Sequence, residues 1–326
     1  MNKINWGIIG CGDVAEIKSG PAFQRIEHSS LHMVMRRNAE KAKDFAQRHK
    51  VPHWTNNADD ILQNEDINAV YIATPPSTHL DYALRALNHG KHVYLEKPMT
   101  LNAVEAKKIC DAVAASKGKL TVAHYRRKLP AFLKVKALLA QKKIGTVTHV
   151  DLQLIQSKKS DIIASPEDNW RLNPEVSGGG YFYDLAPHQI DLMYHYFGPI
   201  KESFGFSKAS AHHKKVEDIV NGIMCFKSGV QFRGLWNFNS SPLNNKEECT
   251  IYGTEGNITF SFFGDRVHLT TKKESETFSF KNPKHLQEPM IRATVDYFLE
   301  KDENPCSAEE GLLVMKVMEN LSGRSS

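Results

Sequence analysis

Three stretches of this 326-residue chain carry side chains that could do chemistry. The first is Glu96-Lys97-Pro98, which ends a short apolar run, Val93-Tyr94-Leu95. An ammonium so placed can hydrogen-bond a hydroxyl and stabilise an alkoxide as it develops. The second is Asp184, His188 and Asp191, spaced i, i+4, i+7, which on a helix project from similar faces. Imidazole moves a proton near neutrality, and a neighbouring carboxylate raises its basicity, so His188 with Asp184 forms a proton-handling pair, while Asp191 is expected to be structural. The cluster lacks a convincing third or fourth ligand, so no metal is expected. The third stretch is Gly10-Cys11-Gly12-Asp13-Val14-Ala15, a G-x-G-x-x-A directly after INWGII. Its first glycine permits a tight turn, its second lets a pyrophosphate approach the backbone, and its small last residue lets helix and strand pack closely. Each stretch also has a plain reading: a solvated strand end, a packed histidine, an ordinary glycine turn.

The elements around these residues decide between the readings. From Ile4 to about Tyr125, apolar runs alternate with amphipathic stretches. The runs are 4–9, 31–35, 67–74, 92–96 and 119–125; the helical stretches are 40–49, 78–90 and 102–118. In the last, Val104, Ala106, Ile109, Ala112, Val113 and Ala115 form an apolar face at near-3.6 spacing, with Gly118 as the expected cap. Such alternation predicts parallel strands with right-handed crossovers, the context a dinucleotide fingerprint requires. After Tyr125 come one helix (130–143), β-rich runs at 146–156, 229–239, 246–253 and 257–263, a glycine-flanked helix (178–198) and two closing helices. Val230, Phe232, Gly234, Trp236 and Phe238 alternate with Gln231, Arg233, Leu235, Asn237 and Asn239, mostly the period of a half-buried antiparallel strand, with Leu235 the exception. Two domains are expected, 1–122 for dinucleotide binding and 123–326 for substrate binding and oligomerisation.

The second run ends Val34-Met35-Arg36-Arg37-Asn38, with no acid to hold a ribose 2′-hydroxyl as NAD requires. Arg36 and Arg37 could grip a 2′-phosphate, which favours NADP(H) over NAD; two solvated arginines at a strand end are the alternative. Composition agrees with a soluble globular protein: 41% hydrophobic, 24% charged, net +5 with both signs dispersed. That points away from nucleic acid and from a membrane anchor. Five scattered cysteines without a C-x-x-C pair argue against a zinc site and a disulfide framework, and no leader or spanning segment is evident, so a reduced, cytoplasmic location is expected.

These motifs, taken in order, resemble the glucose–fructose oxidoreductase / inositol dehydrogenase / MocA (Gfo/Idh/MocA) family over nearly the whole chain. They are GIIGCGDVA (7–15), VYIATPPSTH (70–79), GKHVYLEKPM (90–99), YRRKLP (125–130), KKIGTV (142–147), WR (170–171) and SGGGYFYDLAPHQIDL (177–192). The resemblance implies an N-terminal Rossmann parallel sheet plus a C-terminal α/β domain with a large, open, mainly antiparallel sheet. It implies an NAD(P)-dependent enzyme acting without metal on a hydroxyl or carbonyl of a sugar, cyclitol or polyol. It also implies a homo-oligomer, dimer or tetramer, built through that open sheet, and a cis Lys97-Pro98 bond. One departure stands out: the family's D-x-G-x-H has Ala186 for its glycine, with Pro187 before His188.

In a doubly wound sheet ligands collect beyond the carboxyl ends of the strands, which puts Lys97 at the crevice. The mechanism expected sets the substrate oxygen between Lys97 and His188. His188 takes or returns the proton, Asp184 holds substrate or tunes His188, and Lys97 stabilises negative charge. Glu96 orients Lys97 or meets the cofactor. Thr74, Pro75 and His79 line the cofactor or form an ordinary proline-rich turn and helix start. Tyr125 and Arg127 edge the substrate pocket, and Trp170 and Arg171 cover the nicotinamide side or pack a domain interface. His212-His213 reads as surface. The competing functions are a trans-diol dehydrogenase, a redox-neutral enzyme with retained cofactor, and a non-catalytic NADP(H) sensor.

Overall fold

The computed structural model describes residues 2–157, 169–209 and 216–324, so His212-His213 lies outside the described residues. Contacts divide the chain into two compact units, Met1–Arg126 with Pro283–Leu313, and Arg127–Asn282 with Val314–Ser326.

The first unit opens with β1 (Ile4–Ile9), β2 (Ser29–Met35), α1 (Ala39–His49), β3 (His53–Thr55), α2 (Asp59–Leu62), β4 (Ala69–Ile72), α3 (His79–Asn88), β5 (His92–Leu95), α4 (Ala103–Ala115) and β6 (Leu120–Val122). All six strands are parallel, in the order β3-β2-β1-β4-β5-β6. The order reverses between β1 and β4, the switch point beyond whose carboxyl ends ligands bind in such sheets. Strands β4 and β5 are covered on both faces and read as continuous apolar runs, Ala-Val-Tyr-Ile and Val-Tyr-Leu, as parallel strands do.

Two local expectations are corrected. Helix α4 buries Ala103, Ala106, Ile109 and Cys110, while Val104 faces out at 69% exposure. Asn102 caps its start by accepting from Glu105 N–H, and the helix ends at extended Ser116 rather than at Gly118. Gly118 serves close packing instead, since a Cβ there would sit 2.2 Å from the Lys91 carbonyl oxygen. After the glycine turn the chain forms a π turn over Ala15–Ser19 and a 3-10 turn over Gly20–Gln24, not a regular helix. The wide turn closes through Gly20 N–H onto the Ala15 carbonyl, where a Cβ on residue 20 would lie 2.7 Å from that oxygen.

The second unit runs through α5 (Pro130–Ala140), β7 (Val147–Ile155), α6 (Pro174–Ser177), α7 (Tyr181–Phe197), β8 (Ile200–Ala209), β9 (Glu217–Phe226), β10 (Gln231–Asn237), β11 (Lys246–Gly253), β12 (Gly256–Phe260), β13 (Arg266–Thr271) and β14 (Ser275–Ser279). Eight strands form one sheet in the order β14-β13-β12-β11-β7-β10-β9-β8. Its pairings are antiparallel except β7 with β10, so the strand predicted antiparallel has one parallel neighbour. The predicted alternation holds there: Val230, Phe232, Gly234, Trp236 and Phe238 are buried. The opposite face carries exposed Phe204, Phe206, Ile223 and Tyr252 beside the Arg233–Asp151 pair.

The chain closes with α8 (Glu288–Phe298) and α9 (Ala308–Ser322). Segment 283–313 belongs to the first unit, so the units are discontinuous where a change of pattern after Tyr125 predicted two continuous domains. The return covers the edge of the parallel sheet: Val122 N–H donates to the Cys306 carbonyl (3.0 Å) and the Asn304 amide to that of Leu120 (2.8 Å).

Candidate active site

In the first unit, the glycine turn, Arg36 and the strand ends of β4 and β5 come together. Gly10 adopts φ +97°, and a Cβ on it would lie 2.9 Å from Thr74 N, so only glycine fits. At Gly12 a Cβ would meet nothing within 4 Å. Protein packing leaves the space above Gly12 open, the approach a dinucleotide pyrophosphate needs, so these residues fit such a group. Asp13 is exposed, Val14 half-buried and Ala15 fully buried against the sheet. Arg36 leaves the end of β2 half-buried, its Nη1 donating to the Cys11 carbonyl at 3.4 Å, and so stands over the glycine turn. Arg37 is exposed, and Asn38 caps α1. Burial pushes the Cys11 thiol up to about 11.

His79 is buried, with Nδ1 3.1 Å from the Pro98 carbonyl and Nε2 2.8 Å from that of Thr74. Burial lowers its pKa, against the pull of those carbonyls and of Glu96. It therefore joins the Thr74-Pro75 loop to the Lys97-Pro98 loop from within the fold. The Lys97-Pro98 bond is cis. Lys97 is half-buried, directly after β5, and its backbone N–H donates to Glu96 Oε2 at 3.2 Å. Tyr125 is buried; burial alone would raise its phenol, but the charges of Arg126, Lys18 and Lys97 outweigh it and hold the pKa below the ordinary range.

In the second unit, α7 positions the acid and the histidine. A Ser177-Gly178-Gly179-Gly180 turn leads into it, with Ser177 Oγ donating to the Arg171 carbonyl at 2.9 Å. Arg324 supports the turn from the chain end, donating to the Gly178 carbonyl at 2.5 Å and pairing with Glu217. The helix runs through Pro187, which leaves the Tyr183 carbonyl without its usual intrahelical donor. His188 is 3% exposed, whereas the Asp184 side chain keeps 22%. Arg171 Nε donates to Asp184 Oδ2 at 2.9 Å, and its guanidinium lies 4.6 Å from the Trp170 ring centroid. Trp170, Arg171 and Asp184 thus form one cluster. Arg127 grips Asp191 through Nε (3.0 Å) and Nη2 (2.6 Å), both side chains buried, which gives Asp191 its structural role.

The sequence reading passed over Tyr71 and Gln287, which donate to Glu96, and Ser19 and Tyr94, which donate to those two in turn. Two tyrosines in otherwise aliphatic parallel strands were the available signal, because a buried hydroxyl needs a partner.

Comparison with known proteins agrees with this architecture. The profile described as "Oxidoreductase family, NAD-binding Rossmann fold" (GFO_IDH_MocA) matches residues 4–124, and that of the GFO/IDH/MocA C-terminal domain matches 132–259. The chain is 53% identical to Oxidoreductase P35 of Formosa agariphila, over 99% of both chains. It is 25% identical to trans-1,2-dihydrobenzene-1,2-diol dehydrogenase of Xenopus tropicalis, over 78% of this chain and 74% of that protein. Levoglucosan dehydrogenase, solved with NADH and levoglucosan, superposes with TM-score 0.86 at 21% identity, covering 99% of this chain and 97% of that one, a likeness of fold. The chain belongs to the GFO/IDH/MocA oxidoreductase family, with an NAD-binding Rossmann domain followed by the family's C-terminal domain.

Proposed function

We propose that the protein is an NADP(H)-dependent oxidoreductase interconverting a hydroxyl and a carbonyl on a sugar, cyclitol or related polyol. The observation that carries the reading is Lys97 at the carboxyl end of β5, in a doubly wound sheet whose glycine turn leaves open the space above Gly12. When bound, a nicotinamide dinucleotide supplies or accepts the hydride. Gly10, Gly12 and the amides of 13–15 hold its pyrophosphate, Arg36 and Arg37 its 2′-phosphate, and Thr74 and Pro75 border it; His79 supports that loop. Lys97 hydrogen-bonds the substrate oxygen and stabilises negative charge on it. His188 accepts the hydroxyl proton in oxidation and returns it in reduction. Asp184, steadied by Arg171, holds the substrate or tunes His188, with Trp170 alongside. Tyr125, subject to the Lys97 charge, borders the substrate, and Arg127 acts through its grip on Asp191.

The test is an absorbance screen at the reduced-nicotinamide band, with NADP or NAD and sugars, anhydro-sugars, cyclitols and a trans-dihydrodiol, in both directions. Turnover preferring NADP is expected, falling at least about a hundredfold in Lys97→Met and in His188→Asn. Arg36→Ala should weaken NADPH binding about tenfold and leave NADH binding unchanged. Near-wild-type turnover in Lys97→Met and His188→Asn with cofactor still bound would sink the assignment. The trans-dihydrodiol is included because the relative in Xenopus tropicalis carries that activity in its name.

A homo-oligomer is part of the proposal. Phe204, Ile223, Arg233, Asp151 and Thr250 form one row across β8, β9, β10, β7 and β11 on the outer sheet face, and Phe204 and Ile223 are more than half exposed. An apolar patch on a broad sheet suits a second copy of the chain. A reduced, cytoplasmic setting accords with five free cysteines. Among the described residues no helix is long and apolar enough to cross a membrane.

A further inference from the structure

Glu96 sits 7% exposed at the end of β5. Its Oε1 accepts from Tyr71 Oη at 2.6 Å and from Gln287 Nε2 at 2.5 Å, and its Oε2 accepts from the Lys97 backbone at 3.2 Å. Every one of these partners donates. Gln287, fully buried at the start of α8, accepts in turn from Tyr94 Oη at 2.9 Å and donates its backbone N–H to the Lys18 carbonyl at 3.1 Å. Tyr71 Oη accepts from Ser19 Oγ at 3.1 Å, and Ser19 ends the π turn that follows the glycine loop. His285 lies against the same turn, its Nδ1 3.0 Å from the Ile17 carbonyl. The network thus joins three elements far apart in sequence: the turn after the glycine loop, the strand ends of β4 and β5, and the entry of α8.

A buried carboxylate is costly unless each lone pair finds a donor, and a partly satisfied buried network costs more than an apolar one. A network this complete holds its central group in one geometry. Burial and the Glu96 charge push the Tyr71 and Tyr94 phenols well above their ordinary range, so both stay protonated as donors.

We propose that Tyr71 and Gln287 are positioning residues that hold the Glu96 carboxylate against the Lys97 backbone N–H and tie that strand end to the turn after the glycine loop. Lys97 gains a fixed backbone and a fixed negative charge as its sequence neighbour. The two donors hold that charge in one place, so the network sets the geometry of the strand end that carries the lysine. The importance of this for catalysis rests on the assignment of Lys97 above.

The experiment is competitive acylation of the whole protein with acetic anhydride at one mildly alkaline pH, read at Lys97 by peptide mass spectrometry, with exposed Lys107 as internal reference. Tyr71→Phe keeps the ring and removes only the hydroxyl; Gln287→Leu removes the amide's contacts to Glu96, Tyr71 and Tyr94. Losing the donors frees the carboxylate and with it the backbone at Lys97, so acylation of Lys97 relative to Lys107 should rise about threefold or more. An unchanged ratio of Lys97 to Lys107 acylation in variants that melt cooperatively overturns the proposal. If Gln287→Leu does not fold, Tyr71→Phe decides alone. The readout needs no substrate: full turnover in Lys97→Met would remove the catalytic assignment, whereas unshifted acylation in Tyr71→Phe would remove the network's role.

Discussion

At the scale of single residues, similar side chains do different work according to their surroundings. Arg171 and Arg127 both bind an aspartate of α7, yet one pair is partly accessible and the other sealed. A sealed pair contributes little net stability when whole, because both charges lost their water. Breaking it is another matter, since the remaining charge stays buried and loses its bidentate partner. Asp191→Ala should therefore cost about 3–5 kcal/mol, seen as a lower chemical-denaturation midpoint, whereas Asp184→Ala should cost less than about 1 kcal/mol. Equal losses would contradict the distinction. Both aspartates were visible in the i, i+4, i+7 spacing, and so was the likelihood that they differ in role. Which arginine answers each was not, because Arg127 and Asp191 are 64 residues apart.

At the scale of elements, glycines mark where backbones approach. Gly205 on β8 and Gly222 on β9 are paired across the sheet, and both face Leu321 near the end of α9. A Cβ on residue 205 would lie 2.2 Å from the Leu321 carbonyl oxygen, a backbone atom that moves only with its helix. Gly205→Ala should cost about 1–3 kcal/mol and lower the melting temperature accordingly. An unshifted melt would mean the helix end gives way freely. Neither β8 nor β9 was foreseen from the pattern. Stretch 200–209 carries exposed Phe204 and Phe206 on the outer face and Gly205 on the inner one, so its alternation runs opposite to that of a half-buried strand. By contrast β1, the glycine turn and α7 were foreseen nearly to the residue, each having a local cause: an apolar run, a special backbone angle, flanking glycines.

At the scale of the whole molecule, titration and association become measurable. Burial lowers His92 to about 4, helped by the Lys119 charge, and lowers His195 to about 4, helped by Arg127 and Lys136; His79 is lowered too. In the unfolded chain these rings titrate near 6.5. Between about 6.5 and about 4 the unfolded state takes up protons that the folded state refuses, so stability falls as pH falls through that window. The melting temperature should drop steadily from pH 7 to pH 4, and His92→Gln with His195→Gln should flatten the drop; an unchanged slope would assign it to other groups. His92 Nδ1 accepts the Lys119 N–H at 2.9 Å, an acceptor that protonation at that nitrogen removes. For association, Phe204→Asp with Ile223→Asp should convert an oligomer to monomer in light scattering. Unaltered mass would place the contact elsewhere.

By itself the sequence determined the parallel, dinucleotide-type sheet, the glycine turn and the change to a β-rich second half. These follow from short-range constraints, namely periodicity, backbone angles that only glycine adopts, and residue types at fixed small spacings, whereas the family came from the resemblance of a series of motifs in order. Tertiary structure alone decided that residues 283–313 return to the first unit, that Arg127 closes on Asp191, and that Gln287 reaches Glu96 across 191 residues of chain. Such partners are chosen by the requirement that each buried polar group find a donor or acceptor, and that requirement leaves no period in the sequence.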